Sequence, residues 1–505
     1  MYMQFLRDEE RRLLERLSAL ARSNPFLPER IQREREALGD DFEEVSSVWS
    51  KQLDRQNPNV AKLAARAEPV AEKLRSRLAA GAKPSQDELR VYEELVFYLL
   101  YDLYDLELVD AMVNRTVRFY HDFERRARYY LGTARPRREL DEELPHWFAF
   151  MFQVRRASHH IFEFILGSSM PVAELRGAVW QSIFTHDLRR YRRSLFDKMG
   201  DLATLISGPS GTGKELVARA IGASRYIPFD PKTRRFAIDP RRTFFPLNLS
   251  ALPNTLIESE LFGHRRGAFT GALADRKGWL ELCPELGTVF LDEIGELEPG
   301  IQVKLLRALE SREFQPLGET RSFRFEGKIV AATNRDLAAE MHSGRFRPDL
   351  YYRLCSDLIA TPSLDEQLGD RPSDLEELVR FLSRRIVGER EAEDVTQEVM
   401  SWIARALPPD YPWPGNVREL EQCVRNVLVR REYRPQLDRP DRPWLVDAAA
   451  GRLTAEELLQ HYCRLVYART GSYVETARRL GLDRRTVKAR VEALPSGERS
   501  VSAPS

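Results

Sequence analysis

The sequence predicts a multidomain chain: an all-α amino-terminal domain, an α/β core built around a phosphate-binding loop, and a carboxy-terminal helix-turn-helix. Three observations carry this. Residues 1 to about 175 repeat apolar positions at helical spacing without strand alternation. The run Gly208-Pro209-Ser210-Gly211-Thr212-Gly213-Lys214 follows an apolar strand, Ala203–Ser207, and enters an amphipathic helix. Near the end, two short helical patterns meet at Gly481-Leu482-Asp483.

A chain of 505 residues has room for about three domains. Its net charge of +1 conceals local patches, so charge alone argues neither for nor against nucleic acid. Cys283, Cys355, Cys423 and Cys463 lie far apart without metal-ligand spacing, as expected of reduced, packed thiols in a cytoplasmic protein. Charges interrupt Met1 to Glu15, and Asp102 and Asp105 interrupt the apolar run Val96–Leu106. Neither a signal peptide nor a membrane span is expected.

In the amino-terminal third, Phe5–Arg22, Gln86–Leu108 and Trp147–Leu166 read as amphipathic helices. Pro28, Pro58 and Arg135–Arg138 mark turns. The aromatic series Tyr92, Phe97, Tyr98, Tyr101 and Tyr104 reads as helix-packing core rather than a ligand pocket. His159-His160, beside Arg155-Arg156, reads as a solvated face or a contact with the next domain in preference to a metal or anion site. Arg189–Arg193 reads as an inter-domain hinge rather than a nucleic-acid site.

In the core, glycines let backbone N–H groups turn toward an anion, the following helix start adds positive potential, and Lys214 supplies a mobile charge. Glu215 stands where Ser or Thr would ordinarily hold Mg2+. A Pro-, Arg- and Phe-rich insertion, Arg225–Thr243, reads as a loop or hairpin, and Phe244–Leu249 as a strand with Asn248 near its end. Glycine density from Gly263 to Ala272 argues for a projecting loop with Phe269 and Thr270 at its tip. Gly287–Glu293 reads as an apolar strand ending in two carboxylates: one suited to Mg2+, the next to polarising an attacking water. A further strand, Lys328–Thr333, ends at Asn334, placed to contact a γ-phosphate or the attacking water. Arg347 and Arg353 suit charge neutralisation on a neighbour's nucleotide, against the plainer reading of two surface salt bridges.

These motifs, with Pro412–Leu420 (Pro-Trp-Pro-Gly-Asn-Val-Arg-Glu-Leu), make the chain resemble the AAA+ bacterial enhancer-binding proteins, activators of sigma-54 RNA polymerase. The resemblance covers about half the chain. Its most specific element is Gly267-Ala268-Phe269-Thr270-Gly271-Ala272, which in that family engages sigma-54. It implies an α/β AAA+ subdomain at 179–367 and a helical lid at 368–437, behind a helical regulatory domain at 1–178. A linker at 438–452 and a Fis-type helix-turn-helix at 453–505 complete the expected order.

The resemblance further implies ATP and Mg2+ as cofactors. Gly208–Glu215, Asn334 as first sensor and Arg418 as second sensor would bind nucleotide. Asp292 would serve Mg2+, directly or through water, and Glu293 would activate water, restrained by Asn248. Arg347 and Arg353 would act as fingers from the adjacent subunit of a homo-oligomeric ring, commonly a hexamer. Glu215 is usual in the family; Pro209 replaces its customary Glu, and the Arg225–Thr243 insertion is longer than typical.

From Gly471 to Leu494 six basic residues face three acidic ones, a net +3 that suits a major groove. Arg484, Arg485, Thr486 and Lys488 are the candidates for contacts to double-stranded DNA, with Asp483 as helix cap. A repressor whose nucleotide site serves only assembly, and an AAA+ remodeller of another substrate, are the alternative readings. The Asp292-Glu293 pair argues against the first and the Gly267–Ala272 loop against the second.

Overall fold

The computed structural model describes residues 4–45, 57–114, 117–435, 444, 448 and 451–492. Two compact units result, Met1–Tyr433 and Arg434–Ser505. Most of the expected linker, and residues 493–505, lie outside the described residues.

Among the described residues the first unit opens with the α-helices α1 (Asp8–Arg22), α2 (Pro28–Leu38), α3 (Pro58–Ala79), α4 (Gln86–Leu103), α5 (Asp105–Asn114), α6 (Tyr120–Leu131), α7 (Arg137–Phe164) and α8 (Met170–Phe184). Pro28 and Pro58 occupy the first turn of α2 and α3, where a missing N–H costs nothing. The expected helix to Leu108 breaks at Tyr104. The expected helix from Trp147 is instead the second half of α7, which begins at Arg137. Tyr92, Val96 and Leu100 are buried with Leu63, Leu74, Phe123 and Phe148, so the aromatic series is packing core.

An all-parallel sheet follows, in the order β11-β1-β10-β7-β4: β1 Thr204–Ser207, β4 Phe244–Asn248, β7 Thr288–Asp292, β10 Lys328–Thr333 and β11 Asp357–Ala360. Lys328–Thr333 is buried at all six positions, as a central parallel strand covered on both faces requires. One face is covered by α8 and α9 (Lys214–Gly222), which share a core with Ile206, Phe290 and Val330. The other is covered by α10 (Asn254–Phe262) and α11 (Pro299–Glu310). Four further helices appear here, α12 (Leu337–His342) and α13 (Pro348–Leu354) beside the sheet, then α14 (Leu364–Asp370) and α15 (Asp374–Val387). With α16 (Ala392–Ala406) and α17 (Asn416–Arg430), α14 and α15 enclose a separate core around Trp402, Trp413 and Val424. This is the helical lid.

The insertion Arg225–Thr243 is a hairpin, β2 (Phe229–Asp230) with β3 (Arg235–Phe236). Its phenyl rings enter the amino-terminal core: Phe229 lies 4.6 Å from Phe148 and Phe236 4.1 Å from Phe152 between ring centroids. Arg189–Arg193 is no loose hinge. Arg189 pairs with Glu94, and Arg192 lies over the Phe97 and Trp147 rings, so these cations fasten the helices to the sheet. The loop between α7 and α8 is fastened to the lid as well. Asp374, fully buried, accepts the Ser168 N–H at 2.9 Å and the Ser169 N–H at 3.0 Å, and Asp370 accepts that of Met170 at 2.7 Å. Two lid carboxylates thus sit at the positive end of the α8 dipole.

Candidate nucleotide site and attached surfaces

The sheet order brings β1, β10 and β7 side by side, so their carboxyl ends converge, as the open α/β arrangement requires. After β1 the backbone turns through Gly211 and Gly213, both in the left-handed region, into α9. A Cβ on Gly211 would stand 2.3 Å from the Gly415 carbonyl of the lid, so only glycine allows this approach. Loop and lid are stitched directly. The Val417 N–H donates to Gly211 O at 3.1 Å, Asn416 Nδ2 to Ser210 O at 2.9 Å, and Arg418 Nη1 to Ser210 Oγ at 2.9 Å. Thr361, just past β11, meets Thr212 hydroxyl to hydroxyl at 2.7 Å.

Lys214 is buried, its ammonium donating to the Gly208 and Pro209 carbonyls at 3.0 Å each. Burial pulls its pKa below the ordinary lysine value, while the charges of Glu293 and Asp292 oppose that shift. Asp292 ends β7. Burial and then the neighbouring Glu293 charge push its carboxyl above the usual aspartate range, against the pull of Lys214. A cation would remove that repulsion, so the donor set fits Mg2+. Glu293 adopts a left-handed backbone, φ 57°, uncommon for a residue with a side chain. Its carboxylate accepts the Asn334 N–H at 3.1 Å, joining the ends of β7 and β10.

Register places Asn248 of β4 opposite Asp292. The restraining contact expected between Asn248 and Glu293 is not made: Asn248 Oδ1 accepts the Ser250 hydroxyl at 2.8 Å, while Glu293 is taken by Asn334. Arg347 and Arg353 are likewise engaged within their own chain. Arg347 forms a two-point pair with Asp349 at 2.6 and 3.0 Å, and Arg353 donates to Leu309 O at the end of α11. The plainer reading of a surface salt bridge describes Arg347 in this state, but not Arg353, whose partner is a backbone carbonyl. Gln302, fully buried on α11, holds the Arg347 N–H at 2.9 Å and was not singled out from sequence.

The loop Gly267–Ala272 lies between β5 (Gly263–His264) and β6 (Arg276–Lys277). The Gly267 N–H donates to Ala272 O at 2.9 Å, closing the six residues into a compact tip. Gly267 and Gly271 both have left-handed φ. Phe269 packs on His264 at 5.0 Å but remains 36% exposed, and Leu273 is 86% exposed. The hairpin of β8 (Glu313–Phe314) and β9 (Phe323–Arg324) supports the base: Arg265 N–H donates to Leu317 O, and its guanidinium pairs with Glu319 at 3.0 Å.

In the second unit, α18 (Ala455–Thr470), α19 (Tyr473–Leu480) and α20 (Arg484–Glu492) pack around Cys463, Ala477 and Val487. Gly481 turns left-handed between α19 and α20, and Asp483 caps α20 through the Thr486 N–H at 2.9 Å. Arg484, Arg485 and Lys488 are exposed. The Thr486 hydroxyl instead donates to Asp483, so in this state it belongs to the cap rather than to a groove-facing surface.

A phosphate loop after the first strand, a strand-end Asp-Glu pair and a helical lid stitched to the loop define an AAA+ ATPase module. Residues 185–359 match the family model described as the Sigma-54 interaction domain, and residues 369–436 the AAA+ ATPase lid domain. Over these two segments the chain is similar to AAA+ sigma-54-dependent transcriptional activators. It is 44% identical over 245 residues to the Nif-specific regulatory protein of Azotobacter vinelandii, covering 48% of this chain and 43% of that protein. Over 303 residues it is 41% identical to the transcriptional regulatory protein ZraR of Klebsiella oxytoca, covering 58% of this chain and 63% of that one. With the hydrogenase transcriptional regulatory protein HoxA of Bradyrhizobium diazoefficiens it shares 43% identity over 233 residues, 45% of this chain and 43% of that protein. The chain therefore spans less than two thirds of the length of these relatives. Among the described residues no helix is long and apolar enough to cross a membrane.

Proposed function

We propose that the chain is a cytoplasmic ATP-hydrolysing transcription activator that binds upstream double-stranded DNA and remodels sigma-54 RNA polymerase to promote open-complex formation. The observation that carries this is the closed loop Gly267–Ala272, with Phe269, Thr270 and Leu273 presented to solvent from the same subdomain as the nucleotide site.

In this reading the glycine turn and Lys214 hold the triphosphate, Asp292 holds Mg2+, and Arg418 and Asn416 tie the lid to the loop around it. Mg2+ would neutralise charge on the phosphates. Glu293 takes the proton of the attacking water once released from the Asn334 N–H, and Asn334 then faces the γ-phosphate. Asn248 turns from Ser250 toward Glu293 to restrain it, and Arg347 and Arg353 leave Asp349 and Leu309 O to reach a neighbouring subunit's nucleotide. Such fingers act only in a ring, for which a homo-hexamer is the proposed form. The resulting rearrangement raises or retracts the Phe269-Thr270 tip against sigma-54. Arg484, Arg485 and Lys488 supply groove and phosphate contacts, with Thr486 joining them if it leaves its cap.

ATP turnover and sigma-54 open-complex formation test this together. Glu293→Gln should lower turnover by about 100-fold or more while nucleotide still binds. Thr270→Ala should leave turnover largely intact and abolish open complexes; equal loss of both activities would contradict the loop assignment.

A further inference from the structure

We propose that His159, His160 and Glu163, on the last turns of α7, form a binding site for one first-row transition-metal cation, with Zn2+ the best fit. The three donor atoms all lie within 4.8 Å of one another. His159 Nε2 is 3.0 Å and His160 Nδ1 3.8 Å from the same oxygen, Glu163 Oε2. Ligands bonded at about 2.0–2.1 Å to a tetrahedral ion stand roughly 3.4 Å apart. The two separations bracket that value, and small side-chain rotations close the third.

His160 supplies the second, independent observation. Its Nδ1 is buried and makes no hydrogen bond, a costly state for a polar atom. Its ring is held by stacking on Phe164 at 5.5 Å and 7°, which fixes where that nitrogen points. A metal ion would satisfy it without moving the ring. Two imidazoles and one carboxylate select ions of the Zn2+ class over Mg2+ or Ca2+, and three protein ligands leave a fourth position for water.

The opposing charge is Arg156, one turn earlier on α7. Its guanidinium is directed to the Arg225 carbonyl and over the Phe152 ring. Arg155 is paired with Asp105 at 3.1 Å. The site precedes by one turn the Ser168-Ser169 segment gripped by Asp374 of the lid, so an ion there would stiffen the strut between the amino-terminal helices and the ATPase.

Calorimetric titration of the untagged full chain with ZnCl2, in excess Mg2+, tests the assignment. One ion per chain should bind with Kd below about 1 µM, weakened at least about tenfold by His159→Ala and by Glu163→Gln. Both side chains are partly exposed, at 29% and 45%, so both variants should fold. X-ray absorption on the zinc-loaded, unsubstituted chain should count two imidazoles and one carboxylate, a readout that needs no variant. Affinity weaker than about 0.1 mM, wild-type affinity in both variants, or a different ligand count would overturn the proposal.

Discussion

Replacing Asp374 by alanine should release the amino-terminal helices from the lid locally while leaving the sheet intact. Asp374 is fully buried and accepts two N–H groups, those of Ser168 at 2.9 Å and Ser169 at 3.0 Å. Each hydrogen bond to a charged group contributes about 1.5–3 kcal/mol, and removing the acceptor strands both donors. Water entering the vacated space recovers part, so the lower sum, about 3 kcal/mol, is the expected local loss. At about 1.4 kcal/mol per factor of ten, amide exchange at residues 168 and 169 should accelerate roughly a hundredfold. Hydrogen-exchange mass spectrometry on peptides spanning 165–175 reads this, with peptides from β10 as the unchanged control. An acceleration below about threefold, or one spread equally over β10, would refute the view that Asp374 is a local clamp.

Gly211→Ala places a Cβ against the Gly415 carbonyl at a left-handed φ, and should weaken binding of a fluorescent ATP analogue more than tenfold without unfolding the sheet. Asp483→Ala removes the α20 cap and should cost the second unit about 1 kcal/mol, read as a lowered melting temperature by circular dichroism. Burial draws the Lys328 pKa down to about 7, far below the ordinary lysine value. The unfolded chain therefore binds more protons between about pH 7 and 10.5, and this group favours the folded state increasingly as pH rises through that window. Lys328→Met should remove that gain, so its urea midpoint should fall further behind the unsubstituted chain at about pH 9.5 than at about pH 7.

The strands were legible because a buried parallel strand is a continuous apolar run with a polar end, as in Thr288–Asp292 and Lys328–Thr333. The phosphate loop and the helix-turn-helix were legible because glycines with positive φ mark their turns. What the sequence withheld depends on contacts between distant segments. Nothing local announces that Asn416 would bridge Ser210 O and the Leu364 N–H, although it stands inside a recognisable motif. Asp374 looks like any acidic first-turn residue until the start of α8 is seen against it. Glu163 looks like a solvated charge until its carboxylate is seen beside two imidazoles. Asn248, Arg347 and Arg353 could be named as actors, but not their present partners: a hydroxyl and a carboxylate two residues away for the first two, and the Leu309 carbonyl of a distant helix for Arg353.

The hairpin of β2 and β3 has a consequence for how such proteins are built and rebuilt. Phe229 and Phe236 lie by sequence in the ATPase subdomain yet are lodged among Tyr120, Phe148 and Phe152 of the amino-terminal helices. Neither part is a self-contained cartridge. A graft of residues 1–184 onto an ATPase without this aromatic tongue would leave a hollow among the helices, and an ATPase stripped of those helices would display two bare phenyl groups. Helices and tongue must therefore be exchanged as one piece.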